Sequence, residues 1–450
     1  MHWLTQHTLI VLGVIAVGLA TVFVLQQRRS PQSAAAWVLA FVLVPYVAIP
    51  IFLMLGFRKR APRFAPITLP RPDPEQIAEA PRRVVPAVSG ARPATRGNAL
   101  SLHADADAAR TALQETIAGA RRSIDALFYI VADDAAGRDF VDRLTARARA
   151  GVAVRLNLDR LGTLRPPRAA LDELRAAGGE VRYFSPLLQR PGRGHLNLRN
   201  HRKLLIADGA RIWSGGRNVG AHYLGPVGDP WTDLSFDLVG PEAEAFAAVF
   251  ASDWDVTGSA RPPCRSRAAG MEGDAVLQLV PSGPDEPSDL LYVSLVSMIH
   301  RARTRIWLST PYFVPTEPLQ LALATALRNG VDLRIMVPER SNQFTADLAR
   351  GAYLRELRDL GANVLRHQGG MLHAKAGLVD DVGWIGSANF DVRSLLLNFE
   401  IALVCLDAAS VARLEAWFAM RHTESAAGIP DARLPRRVVE GLFRLGAPVL

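Results

Sequence analysis

The chain has 450 residues, room for two or three domains, and its 49% hydrophobic content is ample for large cores. A net charge of +9 suits an anionic partner, either nucleic acid or an acidic membrane. Its two cysteines, Cys264 and Cys405, are far apart and form no C-x-x-C pair, which argues against a disulfide framework or a structural zinc.

Two uncharged apolar runs come first, at 8–25 and 34–57. Each is long enough as a helix to cross about 30 Å of hydrocarbon. Pro45 and Pro50 fall in the second run, where a membrane helix tolerates them. The rival for the first run is a cleaved signal peptide. No Lys or Arg precedes the run and Arg28–Arg29 follow it, which favours a retained hairpin over residues 1–60. "RKRAPR" at 58–63 carries more basic residues than the loop between the runs, which places the rest of the chain on the cytoplasmic side. Residues 61–97 are rich in Pro, Arg and Ala and read as a linker.

Beyond the linker the chain repeats itself. "ARRSIDALFYIV" at 120–131 resembles "ARTRIWLSTPYFV" at 302–314, and "RARAGVAVRLNL" at 147–158 resembles "ALRNGVDLRIMV" at 326–337. "LRAAGGEVRYF" at 174–184 resembles "LRDLGANVLRH" at 357–367. One unit used twice is expected, over 98–262 and 274–450, with a joint at 256–274. Helices alternate with short apolar strands in both units, which predicts an α/β fold with a largely parallel sheet. At the C-terminus, Val438, Leu442 and Leu445 share helical spacing beside Arg436, Arg437 and Arg444. That helix suits either acidic headgroups or packing on the second unit.

Each unit also contains one polar motif. "NHRKLLIADG" at 200–209 and "LHAKAGLVDD" at 372–381 both read His-x-Lys-x-x-x-x-Asp: His201, Lys203 and Asp208, then His373, Lys375 and Asp380. On a strand, residues two apart share a face, so each His and Lys point together. A return strand follows, with Gly215–Gly216 or Gly386–Ser387 able to admit a substrate to the backbone. Asn218 and Asn389 come just after. No histidine has the partner spacing of a zinc site, so no metal is expected. Two imidazoles, two ammoniums and two amides suit a phosphodiester. Lysines and amide N–H groups offset the charge that builds on the non-bridging oxygens. One imidazole attacks phosphorus and the other protonates the leaving alcohol.

These residues resemble the paired HKD motifs of the phospholipase D superfamily, over about 98–450. The resemblance implies a phosphohistidine intermediate, no cofactor, and an active site between two α/β/α halves related by a pseudo-twofold. Asp208 and Asp380 complete the motif, with a turn-closing role expected of both. Asp233 in "WTDLSFDLVGP" and Glu400 in "LNFEIAL" match the positions that hold the nucleophile-side and partner histidines through Nδ1–H. One departure is that the second motif reaches Asn389 one residue sooner than the first reaches Asn218. The turn "DDVG" is expected to absorb the difference, since a register slip would turn side chains to the wrong face.

Within the superfamily the chain is most similar to bacterial cardiolipin synthases. It shares their two leading apolar runs, "STPYFVP" at 309–315, "NHRK" at 200–203 and "RSLLLNFE" at 393–400. That likeness implies a multi-pass protein of the bacterial inner membrane, with phosphatidylglycerol and cardiolipin as partners in an anionic bilayer and no nucleic acid. In the scheme that likeness implies, His201 attacks the first lipid and His373 protonates the departing glycerol, then activates the second lipid; the opposite assignment of the two histidines stays open. Two other readings stay open. One is a membrane-tethered hydrolase or a transferase using another alcohol; the other is a catalytically idle lipid-binding protein.

Overall fold

The computed structural model describes residues 2–27, 31–55, 64–78, 91–184, 198–225, 230–258 and 270–445. Arg28–Arg29, the basic stretch 58–63, Cys264 and most of the joint lie outside them.

The first apolar run forms α1, His2–Leu25. The second is divided into α2, Pro31–Leu43, and α3, Pro45–Leu55. The break falls at Val44, because Pro45 restricts the residue before it. Pro50 is accommodated inside α3. Val24, Phe41, Ala48 and Phe52 form a small core among the three helices. No helix among the described residues is long and apolar enough to cross a membrane.

The linker is partly pinned. Phe64 packs edge-on against Phe399 at 5.1 Å, and Ile77 bridges Thr95. The first half then runs through β1 (Thr95–His103), α4 (Ala106–Gly119), β2 (Ser123–Phe128), α5 (Ala135–Arg149), β3 (Ala153–Asp159), α6 (Arg168–Ala176) and β4 (Glu180–Phe184). It continues with β5 (Leu204–Ala207), β6 (Arg211–Gly215), α7 (Ala221–Leu224), β7 (Ser235–Val239) and α8 (Ala243–Val256). The second half contains β8 (Ala275–Ser282), α9 (Leu290–Arg301), β9 (Arg305–Ser309), β10 (Phe313–Val314), α10 (Glu317–Arg328), β11 (Asp332–Pro338), α11 (Phe344–Asp359) and β12 (Asn363–His367). It ends with β13 (Ala376–Val379), β14 (Val382–Gly386), β15 (Phe390–Asp391), α12 (Val392–Leu396), β16 (Glu400–Cys405), α13 (Ala408–Thr423), β17 (Ser425–Ala427) and α14 (Leu434–Leu445).

Local chemistry sets these boundaries. Asp105 caps α4 by accepting from Ala108 N–H at 2.7 Å, and Asp407 caps α13 by accepting from Ser410 N–H at 2.8 Å. Gly151 and Gly330, at matched places after α5 and α10, take left-handed φ values of 87° and 82°. Such values favour glycine.

The two halves repeat one strand order. β1-β7-β6-β5-β2-β3-β4 in the first corresponds to β8-β16-β14-β13-β9-β11-β12 in the second. β1 pairs antiparallel with β8, so a single 15-stranded sheet runs through both halves, with β17 added at one edge. The expectation of a largely parallel sheet is corrected. Within that sheet the parallel pairings among the described residues are β2-β3-β4 and β9-β11-β12, the hairpins carrying the motifs pair antiparallel, and a separate two-stranded sheet, β10-β15, is parallel. A strand that returns through a tight turn has no room for a helical crossover.

One core cluster lies within each half, and another joins them. It gathers Leu100, Phe246 and Phe250 of the first half with Leu277, Ile401 and Trp417 of the second. α14 packs on α11, where Glu440 pairs with Arg355 and Arg436, while Leu434, Val438 and Leu442 stay exposed. The packing role anticipated for this helix holds for one face only.

Candidate active site

Each histidine segment is stitched to the opposite half. His201 N–H donates to Phe399 O at 2.9 Å, and Phe399 N–H donates to Arg199 O at 2.9 Å. Likewise His373 N–H donates to Thr232 O at 2.7 Å, and Thr232 N–H donates to Met371 O at 2.9 Å. The residues that follow Phe399 and Thr232 are the two expected acids, Glu400 and Asp233. This crossing decides the carboxylate partners. Glu400 Oε1 lies 2.9 Å from His201 Nδ1, and Asp233 Oδ2 lies 2.7 Å from His373 Nδ1. The expectation that Asp233 holds His201 and Glu400 holds His373 is corrected: the structure exchanges the two acids. Each half supplies the acid that holds the other half's histidine.

Both carboxylates are fully buried, and the imidazoles nearly so. Burial raises Asp233, but His373, Lys375 and Arg217 outweigh it and hold it down at about 2. Burial works against Glu400 in the same way, and His201, Lys203 and the Ser387 hydroxyl bring it below its usual value. An ionised acid can only accept, so each Nδ1 carries a proton and each Nε2 keeps a lone pair. Lys375 Nζ approaches His373 Nδ1 to 2.9 Å. Because that nitrogen already donates to Asp233, the ammonium's hydrogen bond runs to His373 O. Lys203 Nζ donates to His201 O at 2.5 Å in the corresponding place. Burial, and then Lys375, push His373 down to about 3 against the pull of Asp233. Burial lowers His201 too, although Glu400 pulls it upward. Desolvation also takes Lys375 down to about 8 and Lys203 well below its usual value. The charge of Lys375 bears on His201 and that of Lys203 on His373, so the four groups occupy one site.

His201 and Lys203 precede β5, and His373 and Lys375 precede β13, so the motif pairs sit at strand entrances rather than inside strands. Asp208 and Asp380 lie at the far ends, roughly 16 Å from the lysines at about 3.3 Å per residue and farther still from the histidines. Asp208 takes φ 56° and accepts from the N–H groups of Arg121, Arg122 and Ser123; Asp380 takes φ 52° and accepts from Arg303, Thr304 and Arg305. They lock the hairpin turns to the starts of β2 and β9 and do not reach the histidines.

The turns also account for the one-residue difference. Ala207 pairs with Arg211 across three residues, whereas Val379 pairs with Val382 across two. The strand registers are unchanged, with Leu204 opposite Ser214 and Ala376 opposite Ile385. The glycines, by contrast, admit protein rather than substrate. A Cβ on Gly215 would lie 2.5 Å from Leu234 O, and one on Gly386 2.2 Å from Ile401 O. At Gly216 a Cβ would meet Asp233 Oδ1 at 2.1 Å, whereas the matching Ser387 donates its hydroxyl to Glu400 at 2.5 Å. The shorter acid needs the backbone close, and the longer one is held by a hydroxyl. Asn218 Oδ1 accepts from Ile130 N–H at 3.2 Å, leaving its NH₂ as a donor. Asn389 Oδ1 is buried with no hydrogen-bond partner among the described residues.

Several neighbours give no motif signal. Tyr129 stands edge-on to His201 at 4.9 Å, and Tyr223 and Trp231 meet His373 at 5.4 and 5.3 Å. Arg202, between His201 and Lys203, is fully buried. It donates to Asp253 Oδ1 at 2.7 Å in α8 and to Asp285 Oδ2 at 3.2 Å in the second half. In the second motif Ala374 takes its place. Among the described residues, no three His, Cys, Asp or Glu side chains gather as a metal-ligand set.

The sequence profile described as "Cardiolipin synthase, PLD-like domain" matches residues 113–254 and 295–422, more than half of the chain. The chain belongs to that family. Among its relatives, "Cardiolipin synthase A" of Pseudomonas aeruginosa (strain LESB58) is 33% identical over 470 residues, covering 99% of this chain and 95% of the relative. "Cardiolipin synthase A" of Pseudomonas fluorescens (strain SBW25) is 32% identical, covering 96% of each. Of solved structures, the phosphatidylserine synthase of Haemophilus influenzae Rd KW20 superposes with TM-score 0.62 at 15% identity, over 78% of this chain and 95% of that one. That similarity is one of fold: the phospholipase D-like architecture of two repeated α/β halves.

Proposed function

We propose that this member of the cardiolipin synthase family transfers a phosphatidyl group between two phosphatidylglycerol molecules, giving cardiolipin and glycerol. The observation that carries the chemistry is the pair of buried imidazoles, each with Nδ1–H fixed by an ionised acid and Nε2 left unprotonated. His201 Nε2 attacks phosphorus, forming a P–N bond as the P–O bond to glycerol breaks. The leaving oxygen takes the Nε2 proton of the His373 imidazolium, which takes that proton up from solvent as the negative phosphodiester binds and offsets the effect of burial. Neutral His373 then takes a proton from the hydroxyl of the second lipid, whose oxygen displaces His201 from phosphorus. Lys203, Lys375 and the amide of Asn218 stabilise the oxygens that gain charge. Water is more abundant than any lipid alcohol, so the acceptor must be held against the intermediate.

Purified full-length enzyme given phosphatidylglycerol in mixed micelles is expected to release cardiolipin and glycerol in equal amounts, and added glycerol is expected to suppress net synthesis. Phosphatidic acid as the main product would establish a hydrolase instead. EDTA is expected to leave the rate unchanged. Its abolition of turnover with lipid presentation intact would refute the metal-free scheme.

The pH profile offers a separate check. Lys375 serves as an ammonium and titrates at about 8, so kcat/KM is expected to fall as pH rises through about 8. Lys375→Arg keeps its charge in that range and is expected to move this limb upward, even at reduced rate. A limb that stays in place would exclude Lys375 as its source.

We place the N-terminal helices in the inner membrane as a hairpin, with the catalytic halves on the cytoplasmic side. The support lies in the sequence, where the uncharged runs 8–25 and 34–57 each have the length of a membrane crossing. α2 and α3 together form the second crossing, bent at Val44–Pro45. Trp37, Phe41 and Phe52 pack between the helices, while Ile10, Val14, Leu19, Leu39 and Leu53 face outward, as a lipid surrounding favours.

A further inference from the structure

Three large apolar side chains stand exposed at corresponding places in the halves, two on the loop after β3 and one where the loop after β11 enters α11. Leu161 and Leu164, 41% and 54% exposed, follow β3; Phe344, 73% exposed, follows β11. Isolated exposed apolar residues are ordinary on a protein surface. These differ in their matched placement and in what their loops are tied to.

Asp159, at the end of β3, accepts from Leu161 and Gly162 N–H at 2.9 and 3.0 Å, and from Asn200 N–H, next to His201, at 2.9 Å. Thr163 Oγ1 donates to Tyr129 O at 3.0 Å, and the Tyr129 ring stands against His201. On the other side, Glu339 N–H donates to His367 O at 3.0 Å. His367 Nε2 lies 3.0 Å from Thr232 Oγ1, and Thr232 O accepts from His373 N–H. Tyr312 hydroxyl donates to Asn342 Oδ1 at 2.5 Å, fixing the loop that leads into Phe344. Each apolar tip is therefore hung a few bonds from one reacting histidine, beyond the carboxyl ends of the parallel strands. Exposed Arg165 and Arg168 flank the first tip and Arg340 the second. Arginine beside an exposed apolar side chain suits the boundary between headgroups and acyl chains of an acidic bilayer.

We infer that the mouth of the site is itself a membrane-docking surface. Leu161, Leu164 and Phe344 insert into an acidic bilayer on either side of it, and lipid enters between the two loops. This deepens the lipid-transfer reading and rests on it.

The test uses the full chain carrying Cys264→Ser, reconstituted into vesicles. Cys405 is buried, with its thiol pushed up to about 12, and stays unlabelled. A polarity-sensitive dye is placed at Leu164→Cys, at Phe344→Cys, or at Glu173→Cys. Glu173 pairs with Arg149 just ahead of β3, away from the loops, and serves as control. In phosphatidylglycerol vesicles the first two probes are expected to shift to the blue and to be quenched by nitroxide-bearing lipids, more strongly than in phosphatidylcholine. The control is expected to do neither. Water-exposed signals at 164 and 344 would overturn the inference. Separately, Leu164→Ser combined with Phe344→Ser is expected to lose roughly tenfold in rate on phosphatidylglycerol vesicles, yet keep its rate on short-chain monomeric phosphatidylglycerol. Equal loss on both, or loss on neither, would also overturn it. Failure of the unaltered enzyme to make cardiolipin from either substrate would count against the proposed reaction and leave the probe result standing.

Discussion

His201→Ala and His373→Ala are each expected to remove nearly all turnover, with the double variant hardly worse than either alone. A phosphoryl group that must be accepted by one imidazole and released with the help of the other needs both, so the losses do not add. The crossed carboxylates extend this expectation. Asp233→Asn leaves the shape of the side chain but removes the charge that fixes His373 Nδ1–H at 2.7 Å. Glu400→Gln does the same to His201. Each is expected to lower kcat by about 10²–10⁴-fold, the range of general acid–base assistance. Combining Asp233→Asn with His373→Ala is expected to add little to His373→Ala, although the two residues come from different halves. Nuclear magnetic resonance titration of the two imidazoles separates the pairings: Asp233→Asn is expected to perturb His373 and Glu400→Gln to perturb His201, and the reverse result would show the crossed arrangement wrong.

Arg202→Ala lowers stability by roughly 3–5 kcal/mol, the usual cost of removing one member of a buried charge cluster. Arg202 contacts both Asp253 and Asp285, and it also donates to Ser282 O and Glu400 O. Without it, two buried acids repel each other across the join between the halves. Burial, and then Asp285, act against Arg202 to leave Asp253 at about 6, above its ordinary 3.8. A raised carboxyl gives its full stabilisation below the unfolded value and loses it as pH rises through the folded one. The deficit of Arg202→Ala is therefore smaller at pH 5 than at pH 7. Urea midpoints at the two pH values measure it. Adding Asp253→Asn and Asp285→Asn to Arg202→Met is expected to recover much of the loss, since an uncharged cluster lacks the repulsion. An Arg202→Ala variant as stable as the parent would remove this residue from the account of how the halves are joined.

What could be read along the chain was whatever depends on neighbours in sequence. The duplication was legible because both halves write the same strands and motifs in the same order. The six polar residues stood out because His-x-Lys and the following Asn lie within a single hairpin, and the turn was the one place where a residue could be lost without a change of strand register. Other features depend on partners far away in the chain. Gly215 and Gly386 suggested space for a ligand, yet the carbonyls of Leu234 and Ile401 fill it. Asp208 and Asp380 carry the motif's conspicuous acids, but a strand's length separates them from the histidines. Arg202, between His201 and Lys203, carries no signal in the sequence, because Asp253 and Asp285 come to it only on folding. The resemblance identified the two acids that orient the histidines but paired each with the wrong one; only the tertiary structure assigned them. The physical reason is that β1 meets β8 antiparallel and joins the halves, with Thr232–Asp233 lying beside His373 and Phe399–Glu400 beside His201. A contact made between halves leaves no periodicity in either one.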